Sequence, residues 1–227
     1  MLIPLIAGAM RAISGSPDTR VEITYISLDH RTDRQDLLEA ELDHMGVSYT
    51  RTAAVRANAS MLHVPIKKAR RRQKQIAYIG CTLSHIKALE NSRSNVLVLE
   101  DDVTFRYLPN LRRLLRKDWW DVIAFAFNGV FDPRECRFVH GTQYCRSRGF
   151  KTASAYLVRN NYTEAIIRIL RTSRDRLASG MKYESAANDV VWQELAQKDR
   201  WFVSVPRIAH QRPSYSDIEA KNVDYGV

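Results

Sequence analysis

The chain's 227 residues are 45% hydrophobic, enough to fill one core and short for two domains, so a single domain is expected. Charged residues at 26% and aromatics at 9% exclude wholesale disorder. The 35 Lys and Arg against 25 Asp and Glu leave a net charge of +10, which favours anionic partners such as nucleotides, nucleic acid or acidic lipid without choosing among them.

In chain order, residues 1–20 read as a loose lead-in. MLIPLIAGAM is apolar for ten residues and lacks a basic n-region, so it is too short for a membrane span and a poor signal peptide, and SGSPDT after it reads as loop. A soluble protein is expected, with its folded domain over residues 21–227. VEITYISL (21–28) places Val21, Ile23 and Tyr25 on one face of a first strand. Thr32 and Gln35 have capping-box spacing, Leu38, Leu42 and Met45 follow at helical intervals, and Gly46 stands where the helix stops. Residues 47–55 return to strand, which completes a β-α-β start typical of a parallel sheet.

KKARRRQK (67–74) is the densest charge run and is expected to be solvated; a nucleic-acid or localisation role is the lesser reading. A helix follows with Ile79, Leu83, Ile86 and Leu89 on its apolar face. Gly80 inside it costs about 1 kcal/mol against alanine, which suggests close approach by backbone or ligand. His85 lies on the same helix.

NVLVLEDDV (95–103) is the junction where chemistry is expected. Its four aliphatic residues lack polar alternation and suit a strand covered on both faces, which delivers Glu100, Asp101 and Asp102 to the sheet end where ligands bind in open α/β folds. In extended chain Glu100 and Asp102 would face one way and Asp101 the other. Hard oxygen ligands of this kind suit Mg²⁺ or Mn²⁺ completed by water and a bound phosphate. Beyond it, Leu108, Leu111 and Leu115 mark a helix near Pro109, DVIAFAF (121–127) is a second apolar strand, and 128–144 reads as a long functional loop. KTASAYLV (151–158) is a strand whose small residues leave room for a ligand. Asn161 and Glu164 cap a helix, another helix begins near Asn188, and the last strand is 201–205 before a polar tail. Cys81, Cys136 and Cys145 show no C-x-x-C spacing, which disfavours a disulfide framework or a structural zinc site and points to a reducing compartment.

Five segments in order, ISLDHRTDR, IGCTLSH, VLVLEDDV, TASAYLV and HQRPSYSDI, resemble glycosyltransferase family 25, the lipopolysaccharide and collagen galactosyltransferase group with related enzymes of large DNA viruses. The resemblance spans roughly residues 21–218, and the bacterial and viral members look closer than the longer collagen enzymes. It implies a GT-A-type, Rossmann-like α/β/α sandwich with a mainly parallel sheet, in which a metal (Mn²⁺ or Mg²⁺) assists transfer from a nucleotide sugar, expected to be a UDP-sugar, to a glycan or glycoprotein hydroxyl. By the same resemblance Asp102 is the direct metal ligand, Glu100 or Asp101 contacts ribose or metal-bound water, and His210 is a second candidate ligand. Ser27, Leu28, Asp29, Arg31 and Arg34 would receive base, ribose and diphosphate, with Gly80, Ser84 and His85 bordering the pocket. Asp189 is the candidate general base for inversion and Glu184 the reserve. Cytoplasmic location is expected, in the host if the chain is viral, with no specific nucleic acid and no membrane span. A nucleotidyltransferase using the same metal-phosphate logic, and a basic nucleic-acid-binding protein without catalysis, stay open as alternatives.

Overall fold

Four consecutive aliphatic residues are stable in a strand only when both its faces are covered. In a computed structural model describing residues 19–224 and 226, Val96, Leu97, Val98 and Leu99 are all fully buried in a central strand. The expected lead-in falls almost wholly outside the described residues. Burying each such side chain contributes about 1.5–3 kcal/mol, which anchors this strand in the sheet.

The elements in order are β1 (Val21–Ser27), α1 (Thr32–His44), β2 (Thr50–Ala53), α2 (Ala69–Glu90), β3 (Asn95–Glu100), β4 (Val103–Phe105), α3 (Leu111–Leu115) and β5 (Val122–Gly129). They continue with β6 (Asp132–Val139), β7 (Thr142–Arg146), β8 (Phe150–Val158), α4 (Thr163–Ala178), α5 (Tyr183–Ala186), α6 (Asn188–Val191) and α7 (Gln193–Ala196). The chain closes with β9 (Trp201–Val205), β10 (Ala209–Gln211), β11 (Ser214–Ser216) and β12 (Lys221–Val223). Eight strands form one sheet in the order β2-β1-β3-β8-β5-β9-β7-β6. β2, β1, β3, β5, β9 and β6 share a direction, and β8 and β7 run against it, so the sheet is mainly parallel with a reversed strand at its centre.

Side-chain alternation divides the core into two layers. Leu97, Leu99 and Leu157 join Ile23 and Tyr25 of β1 against Leu38 and Leu42 of α1 and Leu111 and Leu114 of α3. Val96, Val98 and Tyr156 meet Ile86 and Leu89 of α2, Ile166 and Leu170 of α4, and the indoles of Trp192 and Trp201, which meet edge to face. The result is the expected α/β/α sandwich. No helix among the described residues is long and apolar enough to cross a membrane.

Several expectations are corrected. The Thr32 and Gln35 capping box does not form: Arg31 is the N-cap without a side-chain bond, and Gln35 Nε2 donates to the Leu28 carbonyl at 2.8 Å. Neither Asn161 nor Glu164 caps α4. The long loop of 128–144 is instead the end of β5 and a hairpin of β6 and β7. Its two-residue turn, His140–Gly141, has positive φ at both positions (48° and 81°), as a primed hairpin turn requires. This register sets Cys136 opposite Cys145, and the two form a disulfide, so the cysteine spacing is no argument for a reducing compartment. The 67–74 run is only partly solvated: Arg71 donates to the Gly180 carbonyl at 2.8 Å and Lys74 pairs with Glu219 at 2.6 Å.

Candidate active site

A cleft of about 700 Å³ opens where β1 and β3 end and β8 begins, with α2 as one wall. Gly80 shapes that wall. A Cβ there would lie 2.7 Å from the Val55 carbonyl oxygen and 3.3 Å from the Ala57 nitrogen, so the close approach it permits is by the backbone of residues 55–57. Ser84 pins the same segment: its Oγ accepts from the Val55 N–H at 2.8 Å and donates to the Gly80 carbonyl at 2.7 Å.

The three carboxylates at the end of β3 divide differently from a simple alternation, because the chain turns at Asp101 and Asp102. Glu100 faces α2 and β8, with Oε1 3.3 Å from His85 Nε2 and Oε2 accepting from Ser154 Oγ at 2.9 Å. Burial alone would raise its pKa, but the hydrogen bonds and charge of His85, with the Ser154 hydroxyl, outweigh burial and hold it below the ordinary value. Asp101 accepts from Ser27 Oγ and from Arg34, each at 2.7 Å. Asp102 Oδ2 accepts from Arg34 and from Gln211 Nε2, each at 3.0 Å. Burial, followed by the charge of Glu100, pushes the Asp102 carboxyl up to about 7 against the opposing pull of Arg34 and Gln211.

Asp189 sits across the cleft on α6. Its Oδ2 accepts from the Thr152 N–H at 3.0 Å, and burial raises its pKa despite that bond. Thr152 has φ of 78°, a strained value for a β-branched residue, and such outliers cluster at functional sites. The C-terminal β11–β12 hairpin forms a further wall. Arg34 donates to Ser214 Oγ at 2.6 Å and to the Tyr215 carbonyl at 2.7 Å, Arg31 pairs with Asp217 at 2.7 Å, and Lys74 ties Glu219 of the same hairpin to α2 at 2.6 Å.

Of the residues expected from the sequence, Ser27, Leu28, Arg34, Gly80, Ser84, His85, Glu100, Asp101, Asp102 and Asp189 line this cleft. Four do not. Asp29 is exposed and pairs with Arg51 at 2.9 Å, and Arg31 is tied to Asp33 and Asp217. Glu184 is exposed on α5. His210 turns away: its Nε2 accepts from Arg106 at 3.1 Å, and burial with the charges of Arg106 and Arg207 lowers its pKa. Its neighbour Gln211 reaches Asp102 instead, since adjacent strand residues face opposite sides. Sequence reasoning missed Gln211, Arg56, Lys151, Thr152, Asn188 and the 216–218 segment, all of which line the cleft. For Lys151 and Thr152 the signal was present in the small residues that open β8.

The carboxylate turn has the chemistry of a hard-cation site. Asp102 Oδ1 is buried without a hydrogen-bond partner, beside Asp101 and at the cleft, and an oxygen-only donor set of this kind fits Mg²⁺ or Mn²⁺. A hard divalent ion there would satisfy the orphaned oxygen and reverse the burial penalty on Asp102.

Three comparisons bear on these features. The sequence profile of glycosyltransferase family 25 (LPS biosynthesis protein) matches residues 21–169. No curated protein matches the chain. Among solved structures, the chain is similar to a glycosyltransferase involved in glycosylation of the major capsid of PBCV-1, with 11% identity over 81% of this chain and 80% of that one and a TM-score of 0.45. It is also similar to the glycosyltransferase GlyE of Streptococcus pneumoniae TIGR4, with 13% identity over 82% of this chain and 39% of that one and a TM-score of 0.40.

Proposed function

Because the chain belongs to glycosyltransferase family 25, we propose that its cleft transfers a hexose from a nucleotide sugar, a UDP-sugar in this reading, to a hydroxyl of a glycan or glycoprotein, with inversion at the anomeric carbon. The observation that carries the proposal is the meeting, in one cleft, of a carboxylate turn with an orphaned buried oxygen and a separate carboxylate, Asp189, of raised proton affinity. In this reading Asp102 and Asp101 hold Mn²⁺ or Mg²⁺ in a GT-A-type site. Such a cation, when bound, compensates the negative charge that grows on the departing nucleotide diphosphate.

The remaining work falls to the chain's own residues. Arg34 holds Asp101 and Asp102 together from one guanidinium, and Arg56 and Lys151 add positive charge to the cleft lining for a diphosphate. The Thr152 N–H fixes one oxygen of Asp189. As the acceptor oxygen bonds to the anomeric carbon and the bond to the diphosphate oxygen breaks, the acceptor's proton passes to Asp189. A carboxylate whose proton affinity is raised by burial is better matched to that task than a solvated one.

The test is turnover with a panel of UDP-hexoses and simple glycan acceptors, with Mn²⁺ or with EDTA. The proposal expects nucleoside diphosphate release that depends on the cation, and a product anomer opposite to the donor's by NMR. Pyrophosphate release would indicate nucleotidyl transfer instead. Absence of turnover and of cation-dependent nucleotide binding across the panel would overturn it.

A further inference from the structure

The geometry points to a second metal site on the inner wall of the cleft, in which Cys81, His85 and Glu100 bind one ion of the Zn²⁺ class, distinct from the hard-cation site proposed at Asp101 and Asp102. The site stands on its own donors and does not depend on the transfer reaction. Cys81 and His85 are four residues apart on α2 and so share a helix face, and Glu100 meets that face from the end of β3. One donor atom from each of the three lies within 4.8 Å of the others, the only such cluster found among the described residues.

The details around the cluster are those of a ligand set. Two ligands at about 2.0–2.1 Å from a tetrahedral ion stand ~3.3 Å apart, and His85 Nε2 is 3.3 Å from Glu100 Oε1. That separation is long for a charge-assisted hydrogen bond, which runs at about 2.7–2.9 Å. The other ring nitrogen, Nδ1, is 2.9 Å from the buried Tyr156 hydroxyl, and Glu100 Oε2 takes the Ser154 hydroxyl. Partners of this kind orient metal-bound imidazole and carboxylate. The Cys81 thiol has only a long 3.7 Å contact from Asn188 Nδ2, so little holds it from turning toward the ion. Cys81, His85 and Glu100 all line the open cleft, which gives an entry path and leaves a fourth position to water. Thiolate and imidazole select Zn²⁺ or Co²⁺ over Mg²⁺, and binding converts the Cys81 thiol to thiolate with release of its proton.

Co²⁺ tests this as a spectroscopic probe on the full chain, with excess Mg²⁺ present to fill the carboxylate turn. One equivalent should produce the intense visible bands of a tetrahedral ion together with a thiolate-to-cobalt charge-transfer band. Cys81→Ser should abolish the charge-transfer band, and Asp102→Asn should leave both features in place. A pale octahedral spectrum, or a charge-transfer band that persists in Cys81→Ser, would overturn the site. Should Cys81→Ser lose its fold by circular dichroism, alkylation of the wild-type thiol decides: Cys81 is the free cysteine, and Zn²⁺ but not Mg²⁺ should slow its modification. An unchanged alkylation rate would equally overturn the proposal.

Discussion

Replacing Asp102 by asparagine should make the metal-free protein more stable at alkaline pH while removing its response to Mn²⁺. Burial and the neighbouring Glu100 move this carboxyl from 3.8 to about 7. A carboxyl whose folded pKa is raised contributes stability in full below its unfolded value, and that contribution is lost as pH rises through the folded one; the window here runs from about 4 to about 7. At about 1.4 kcal/mol per tenfold change in proton affinity, the penalty above that window reaches ~4 kcal/mol as an upper bound. For a chain of this size each kcal/mol corresponds to roughly 2–4 °C in Tm. Because pH 5 already lies inside that window, about two thirds of the penalty separates pH 5 from pH 8, so calorimetric melts in EDTA should show Asp102→Asn gaining on wild type by up to roughly 5–11 °C between the two conditions. Saturating Mn²⁺ should raise the wild-type Tm at pH 8 and leave that of Asp102→Asn unmoved, since a ligand stabilises only the state that binds it. A gap that does not change with pH, or a Mn²⁺ response that survives the substitution, would refute the reasoning.

Asp189→Asn should lower kcat by about 10²–10⁴ with no loss of Tm, because asparagine can keep the bond from the Thr152 N–H and burial already disfavours the charged form; normal turnover or a retained anomer excludes this assignment. Gly80→Ala adds a methyl 2.7 Å from the Val55 carbonyl oxygen. Overpacking of about 1–3 kcal/mol should exceed the roughly 1 kcal/mol gained in helix propensity, so urea melts should report net destabilisation and donor KM should rise. The basic run of 67–74 should bind oligonucleotides only at low salt: fluorescence anisotropy should show affinity vanishing near physiological ionic strength, whereas sequence-selective binding that persists there would contradict it.

What was legible in the sequence follows from what local patterns encode. β3 announced itself because a four-residue aliphatic run has no other good home, and α1 because Leu38, Leu42 and Gly46 keep helical spacing up to a left-handed stop with φ of 66°. The β6–β7 hairpin was read as loop because β6 is exposed along most of its length and offers no alternating buried face. The disulfide followed from that hairpin and was hidden with it. Strand direction is not written in a strand's own residues, so the reversal of β8 could not be seen. The exchange of His210 for Gln211 depends on the pairing of β10 with β4, a contact between segments about a hundred residues apart. Asp29 failed for a related reason: its partner, Arg51, comes from the neighbouring strand β2.

The reversal of β8 also makes that strand a ruler. The Thr152 N–H holds Asp189 and the Ser154 hydroxyl holds Glu100, and the two anchors are next-but-one neighbours on β8. Thr152 bends the strand with its φ of 78°, and two residues of chain span at most about 7 Å. The reach between the Asp189 anchor and the Glu100 anchor is thus bounded by covalent backbone geometry. Loops at the rim can move or lengthen without changing it, and substrates of different size must be accommodated on either side of a fixed gauge.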